Sequence, residues 1–171
     1  MKRLKPYLLI LIVSGALTAI ICGIMNLSFI PAIESATQGI RCFDMNFGYS
    51  YETATRFLSL LSEEGRSIYL TKQLPLDFFY PVAYGVFFSL LLVKLSGKKA
   101  AIVLPALLAA CDYCENICVY KMLAAAPPQR TLVSIASVAT SAKTVLMYLC
   151  FLLIIALLVK RIVTKRKSAK E

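Results

Sequence analysis

The chain contains no histidine among its 171 residues, and only 16% of them are charged. The first absence excludes His-ligated zinc hydrolases, other imidazole sites and nucleophilic triads that rely on a histidine base. The second separates the chain from soluble domains, in which about 25% of residues are charged and about 45–50% are apolar. Here 59% are hydrophobic. Gly-rich phosphate loops and dinucleotide fingerprints are missing too, and no cofactor is implied. Acids are scarce, with 9 Asp and Glu against 19 Lys and Arg. On polar surfaces such an excess would suit a nucleic acid. Here it flanks apolar blocks, which excludes that partner and points to a lipid bilayer.

Four apolar stretches, residues 7–30, 74–93, 100–120 and 132–159, are each long enough to cross a hydrocarbon core about 30 Å thick. The first begins like a secretory signal, with Lys2, Arg3 and Lys5 before an apolar run. Its run is too long for one, and Ile30-Pro31-Ala32 lacks a small-x-small cleavage pattern, so it reads as a retained helix. Lys and Arg accumulate in short cytoplasmic loops. Placing both termini inside puts twelve of the nineteen there: Lys2, Arg3, Lys5, Lys94, Lys98, Lys99, Lys160, Arg161, Lys165, Arg166, Lys167 and Lys170. The basic tail 160–171 then reads as a stop-transfer anchor touching acidic headgroups. With no C-terminal retention motif, we expect a bacterial inner membrane.

Residues 31–73 form an extracytoplasmic connection far longer than most helix–helix loops. Ser50 is suited to cap a helix starting at Tyr51, and Gly65 to end it. Ala54, Phe57, Leu58 and Leu61 follow i, i+3, i+4, i+7 spacing, which makes this helix amphipathic. It could pack across the bundle mouth, lie in the headgroup layer or act as a lid. Phe43, Phe47, Tyr49, Tyr51 and Tyr69 suit an interfacial aromatic belt. The expected fold is an all-α membrane protein, one four-transmembrane-helix bundle with an amphipathic helix in its long first extracytoplasmic loop.

The chemistry concentrates in the third span, where Cys111-Asp112-Tyr113-Cys114-Glu115-Asn116-Ile117-Cys118 interrupts an apolar run. An acid at bilayer depth costs about 2.5 kcal/mol or more and must face protein, a partner or water. Helical geometry puts Asp112, Glu115 and Asn116 on one face, and Cys111, Cys114 and Cys118 on another. At a rise of about 1.5 Å per residue, Asp112, Glu115, Lys143 and Asp77 all lie about 18–25 Å from the cytoplasmic boundary. Lys143 is expected to pair with Glu115 or Asp112, leaving the other acid free to titrate, and Asn26 reaches a similar height. In the second span Pro75 suits a helix start and Pro81 falls inside the helix, where it tends to kink it. Asp77, Tyr80 and Tyr84 form one stripe on that span.

Together these residues describe an outer-leaflet pocket for a small amphipathic or lipid-like ligand, in which Asp112 and Glu115 hold a polar or cationic group or shuttle a proton. Tyr80, Tyr84 and Asn116 would orient it. A structural or assembly subunit, in which the buried acids pair with Lys143 or join a second copy of the chain, is the alternative. Proton-coupled transport would need a dimer, and inverted repeats are not visible. A third alternative is a membrane thiol oxidoreductase using Cys111 and Cys114. The chain is similar in size and helix count to quinone-linked four-helix thiol oxidoreductases. Those need a second exposed cysteine pair, however, and Cys42 stands alone in the loop. Thiolates plus a carboxylate would have to come from divergent faces, so no metal site is expected. Finally, Gln73-Leu74-Pro75 to Tyr84 resembles the Pro- and aromatic-rich second span of EXPERA-type sterol isomerases and sigma-2-like receptors. That resemblance implies four spans, cytosolic termini and an acidic lipid-accessible cavity. It covers about a dozen residues and carries over no site residue, because the family's first-span acid and histidine have no counterpart here.

Overall fold

The computed structural model describes residues 5–125 and 127–168. Lys2, Arg3 and Lys170, which bear on the expected orientation, lie outside the described residues. Within these the chain is helical and has no strand. Four helices are long and apolar enough to cross a membrane: α1 (Pro6–Ser35), α3 (Glu63–Ser96), α4 (Lys99–Ala124, opening on a 3-10 turn) and α5 (Arg130–Ser168). Between the first two, a short 3-10 turn at Phe43–Met45 precedes helix α2 (Tyr51–Leu60).

The helices are longer than the apolar runs from which they were expected. α3 starts at Glu63, eleven residues before the expected second span, so Pro75 does not begin a helix but sits within one. The chain accommodates it by widening a turn. Tyr69–Gln73 is a π-helical turn directly before Leu74-Pro75, and Met25–Phe29 is another directly before Ile30-Pro31. Proline supplies no N–H and its ring collides with the carbonyl four residues back. A turn closed by Ile30 N–H on Met25 O, or Leu74 N–H on Tyr69 O, relieves that collision without ending the helix. The two widened turns pack against each other. The expected basic tail does not leave the fourth helix either, since α5 continues through Lys160 and Arg161 to Ser168.

Ser50 caps α2 as its position suggests, accepting from Thr53 N–H at 3.1 Å. Gly65 does not end that helix. Leu61 does, with an extended backbone, and Ser62 then caps α3 by accepting from Gly65 N–H at 3.1 Å. Gly65 is required instead for close approach: a Cβ there would lie 2.5 Å from Ala36 Cβ and 2.9 Å from Leu61 Cδ1. The end of α1 thus rests on the start of α3, and Ser62 N–H bonds Ala36 O at 3.2 Å. Gly65→Ala is expected to lower stability by about 1–3 kcal/mol, because backbone must move to admit the methyl. An unfolding midpoint equal to that of the parent chain would contradict this contact.

α1 packs on α3, α3 on α4, and α4 on α5, which also touches α3. Apolar side chains fill two regions of this arrangement. One, near Lys94, joins Phe88, Leu92, Leu108 and Cys150. The other, at the loop end, gathers Ile33, Phe43, Phe57, Tyr69, Val119 and Met122. Phe43 and Tyr69 are therefore core residues rather than parts of a belt, being 1% and 0% exposed, whereas Phe47 is 66% exposed. α2 turns Ala54, Phe57 and Leu58 into this core.

The segment 42–50, which includes the 3-10 turn and leads to α2, forms a strap held on α5. Tyr49 N–H donates to Ser137 Oγ at 2.8 Å, and Ser141 Oγ donates to Phe47 O at 2.9 Å. Gly48 between them has φ 113°, and a Cβ there would lie 2.7 Å from Ser141 Oγ. Only glycine meets both demands.

Candidate functional site

Asp112, Glu115 and Asn116 share one face of α4, and all three are buried. Opposite them Lys143 projects from α5 with its ammonium 3.0 Å from Asp112 Oδ1 and 2.5 Å from Glu115 Oε2. Its third partner is Asp44 Oδ1 at 3.2 Å, contributed by the 3-10 turn of the strap. Asp44 and Asp112 accept hydrogen bonds from the ammonium, and Glu115 stands in ion-pair contact. Neither Asp112 nor Glu115 is left free by Lys143, contrary to the expectation of a single pair. One flexible lysine can reach both because the acids lie one helical turn apart.

Further hydrogen bonds lock the acids in place. Tyr84 OH donates to Asp112 Oδ2 at 2.8 Å, and Thr140 Oγ1 donates to Glu115 Oε1 at 2.6 Å. Asn116 Nδ2 donates to the backbone carbonyl of Asp77 at 2.9 Å, and Tyr113 OH to that of Phe78 at 3.0 Å. These last two tie α4 to α3 beside Pro81, which the helix carries without interruption. Tyr69 OH approaches Asp44 Oδ2 at 3.5 Å and connects the strap to α3.

A cavity of about 370 Å³ opens beside this cluster. Asp77 and Tyr80 from α3, with Leu108 and Asp112 from α4, form its floor, and Asp44 and Met45 cover one end. α1 contributes Met25 and Ile30, and α5 contributes Lys143, Met147, Tyr148 and Phe151. Of the residues singled out from sequence, Asp77, Tyr80, Asp112 and Lys143 line the cavity. Tyr84, Glu115 and Asn116 stand behind its wall and position those that do. Asn26 also reaches the cavity, but its amide donates to Cys22 O of its own helix at 2.9 Å.

Asp44 and Thr140 escaped the sequence reading. Thr140 precedes Lys143 by three residues in an apolar run, so helical spacing alone could have linked the two. Asp44 has no such signal: it is one of several loop acids, and only the folded strap brings it to Lys143.

Six cysteines are free, and the Cys111 and Cys114 stripe looks elsewhere, Cys114 being exposed and Cys111 half-buried. Cys42 lies fully buried under the strap, where burial and the nearby Asp44 and Glu34 carboxylates push its thiol up and keep it protonated. Tyr49 is likewise held protonated, by burial and then by the Glu115 charge. Among the described residues no group of three or more His, Cys, Asp or Glu is placed to hold a metal ion; the acids that converge are filled by an ammonium.

No family model, curated protein or solved structure matches the chain. The site's own geometry therefore carries the functional argument.

Proposed function

We propose that the chain is an integral membrane protein with both termini on the cytoplasmic side, whose outer-leaflet cavity binds a small amphipathic or lipid-like molecule. Insertion is supported by the apolar outer faces of the long helices. Leu17, Ile20, Phe79, Val138 and Leu152 are all about half exposed or more, an arrangement unsuited to water. Orientation is supported by Lys94, Lys98, Lys99 and Lys160 at the end of the bundle opposite the strap.

The observation that carries the binding reading is the lining of the cavity. Met25, Ile30, Leu108, Met147 and Phe151 give it an apolar wall, while Asp44, Asp77, Asp112 and Lys143 gather at one side. A volume of about 370 Å³ falls within the range of about 300–1,000 Å³ for ligand sites built from apolar walls and a few placed polar groups. Packing alone does not account for Asp77, a buried carboxyl in this lining that has no side-chain partner among the described residues, since such a group carries a desolvation cost with nothing to offset it.

Native mass spectrometry of the chain purified in mild detergent tests this. Copurifying lipid is expected on the parent chain and is expected to be lost on Met147→Trp, which fills the cavity from α5. Equal lipid on both, with the variant folded by circular dichroism, would sink the reading. The second reading, a structural or assembly subunit, draws on the three carboxylates around Lys143, which bind α4, α5 and the strap together. It requires no ligand and is favoured if lipid is absent from the parent chain.

A further inference from the structure

Four carboxyls and one ammonium meet at the cavity, and the pairing among them is unequal. Asp44, Asp112 and Glu115 each hold Lys143, whereas Asp77 makes no side-chain ion pair or hydrogen bond among the described residues. Its carboxyl is nevertheless buried, the residue being 3% exposed, and it lines the cavity. Two more acceptors accompany it. Asn116 is anchored on the Asp77 carbonyl through its Nδ2, which leaves its Oδ1 unpartnered. Gln73, one turn before Asp77 on the same face of α3, is 0% exposed with Oε1 and Nε2 both unpartnered. Buried polar atoms are almost always satisfied, and one left alone is costly.

We infer that Asp77 receives the primary ammonium group of an alkylamine-type amphiphile whose chain lies along the apolar wall of the cavity. The inference rests on the proposed binding function and names the head group recognised. A primary ammonium offers one positive charge and three N–H donors. Asp77 supplies the countercharge, and the Asp44 and Asp112 carboxylates, which line the same cavity, offer acceptor oxygens to the other two. Water could satisfy hydrogen bonds here but would supply no counterion to an ionised Asp77. An anionic head would meet the surplus of carboxylates, and a quaternary ammonium has no N–H to give. Lys143 does not compete, because three other carboxylates hold it.

The test uses the full chain in nonionic detergent with three probes of equal chain length: dodecylamine, dodecyltrimethylammonium and dodecanol. Dodecylamine is expected to raise the unfolding midpoint saturably, with the other two at least about 10-fold weaker. Asp77→Asn is expected to weaken dodecylamine binding about 100-fold while leaving the loss of copurified lipid on Met147→Trp unchanged. Equal stabilisation by all three probes, or undiminished dodecylamine binding to Asp77→Asn, overturns the inference. The three-probe comparison on the parent chain is decisive even if Asp77→Asn misfolds. If Met147→Trp still strips lipid but the amine shows no preference, the cavity reading stands and the head-group assignment falls. If dodecylamine binds as well to Met147→Trp as to the parent chain, both fall.

Discussion

Lys143→Met is expected to destabilise the chain by about 3–5 kcal/mol, the largest effect of any single change at the site. The substitution keeps most of the side chain's volume but removes the ammonium that three carboxylates share at 3.2, 3.0 and 2.5 Å. Asp112 and Glu115 would then face each other within one helical turn while buried, without a counterion. Removing one partner of a buried pair costs more than the pair contributes, because the charge left behind has been desolvated for nothing. A second change should therefore recover part of the loss. Glu115→Gln added to Lys143→Met removes a charge and keeps an oxygen to accept from Thr140. Denaturant or thermal unfolding in detergent measures both steps. A single variant as stable as the parent, or a double variant worse than the single, would contradict the charge arrangement described here.

Phe43→Ala is expected to cost about 3–5 kcal/mol by a different route, the cavity left by a buried aromatic ring. Phe43 is 1% exposed and lies at the centre of an aromatic group, its ring centroid 4.6 Å from Phe57, 4.8 Å from Tyr49 and 6.5 Å from Tyr69. It is also the residue before Asp44, so its packing sets where that carboxylate meets Lys143. The loss should accordingly extend beyond stability: the strap around residues 42–50 is expected to become cleavable by protease in the otherwise folded variant. Phe43→Leu, which refills most of the volume, should retain resistance. A Phe43→Ala chain with unchanged midpoint and an uncut strap would show that the strap is held by its polar contacts to Ser137, Ser141, Lys143 and Tyr69.

The two variants divide the molecule along the line between what was legible in the chain and what was not. Lys143 could be singled out because a charge in an apolar run is costly wherever that run is buried, and depth along a straight helix follows from residue number. The same arithmetic brought Asp112, Glu115 and Asp77 to one level. It could not say which acids share the lysine, since azimuth between separate helices depends on packing angles that residue number does not encode. Hence the expected single pair became three, and the Asp77 side chain, rather than one of the α4 acids, has no partner among the described residues. Phe43 illustrates the opposite failure. Aromatic residues in a loop beside a membrane span suit an interface as well as a core, and the choice between them is made by what folds over them.

Helix ends show the same division at smaller scale. Ser50 was identifiable as a cap because its hydroxyl reaches a backbone N–H only three residues away. Gly65 gives no local sign of its role, because its reason for being glycine is Ala36, twenty-nine residues earlier in the chain. Sequence by itself determined the all-helical class, four apolar segments and the level at which the charged side chains gather, because hydrophobic run length and helical rise are local properties. Tertiary structure alone decided that a strap delivers Asp44, that Glu115 and Asn116 brace the cavity rather than line it, and that the Asp77 side chain within it has no ion pair among the described residues. Those outcomes depend on side chains from separate elements meeting within hydrogen-bond range, which is set by how the helices pack.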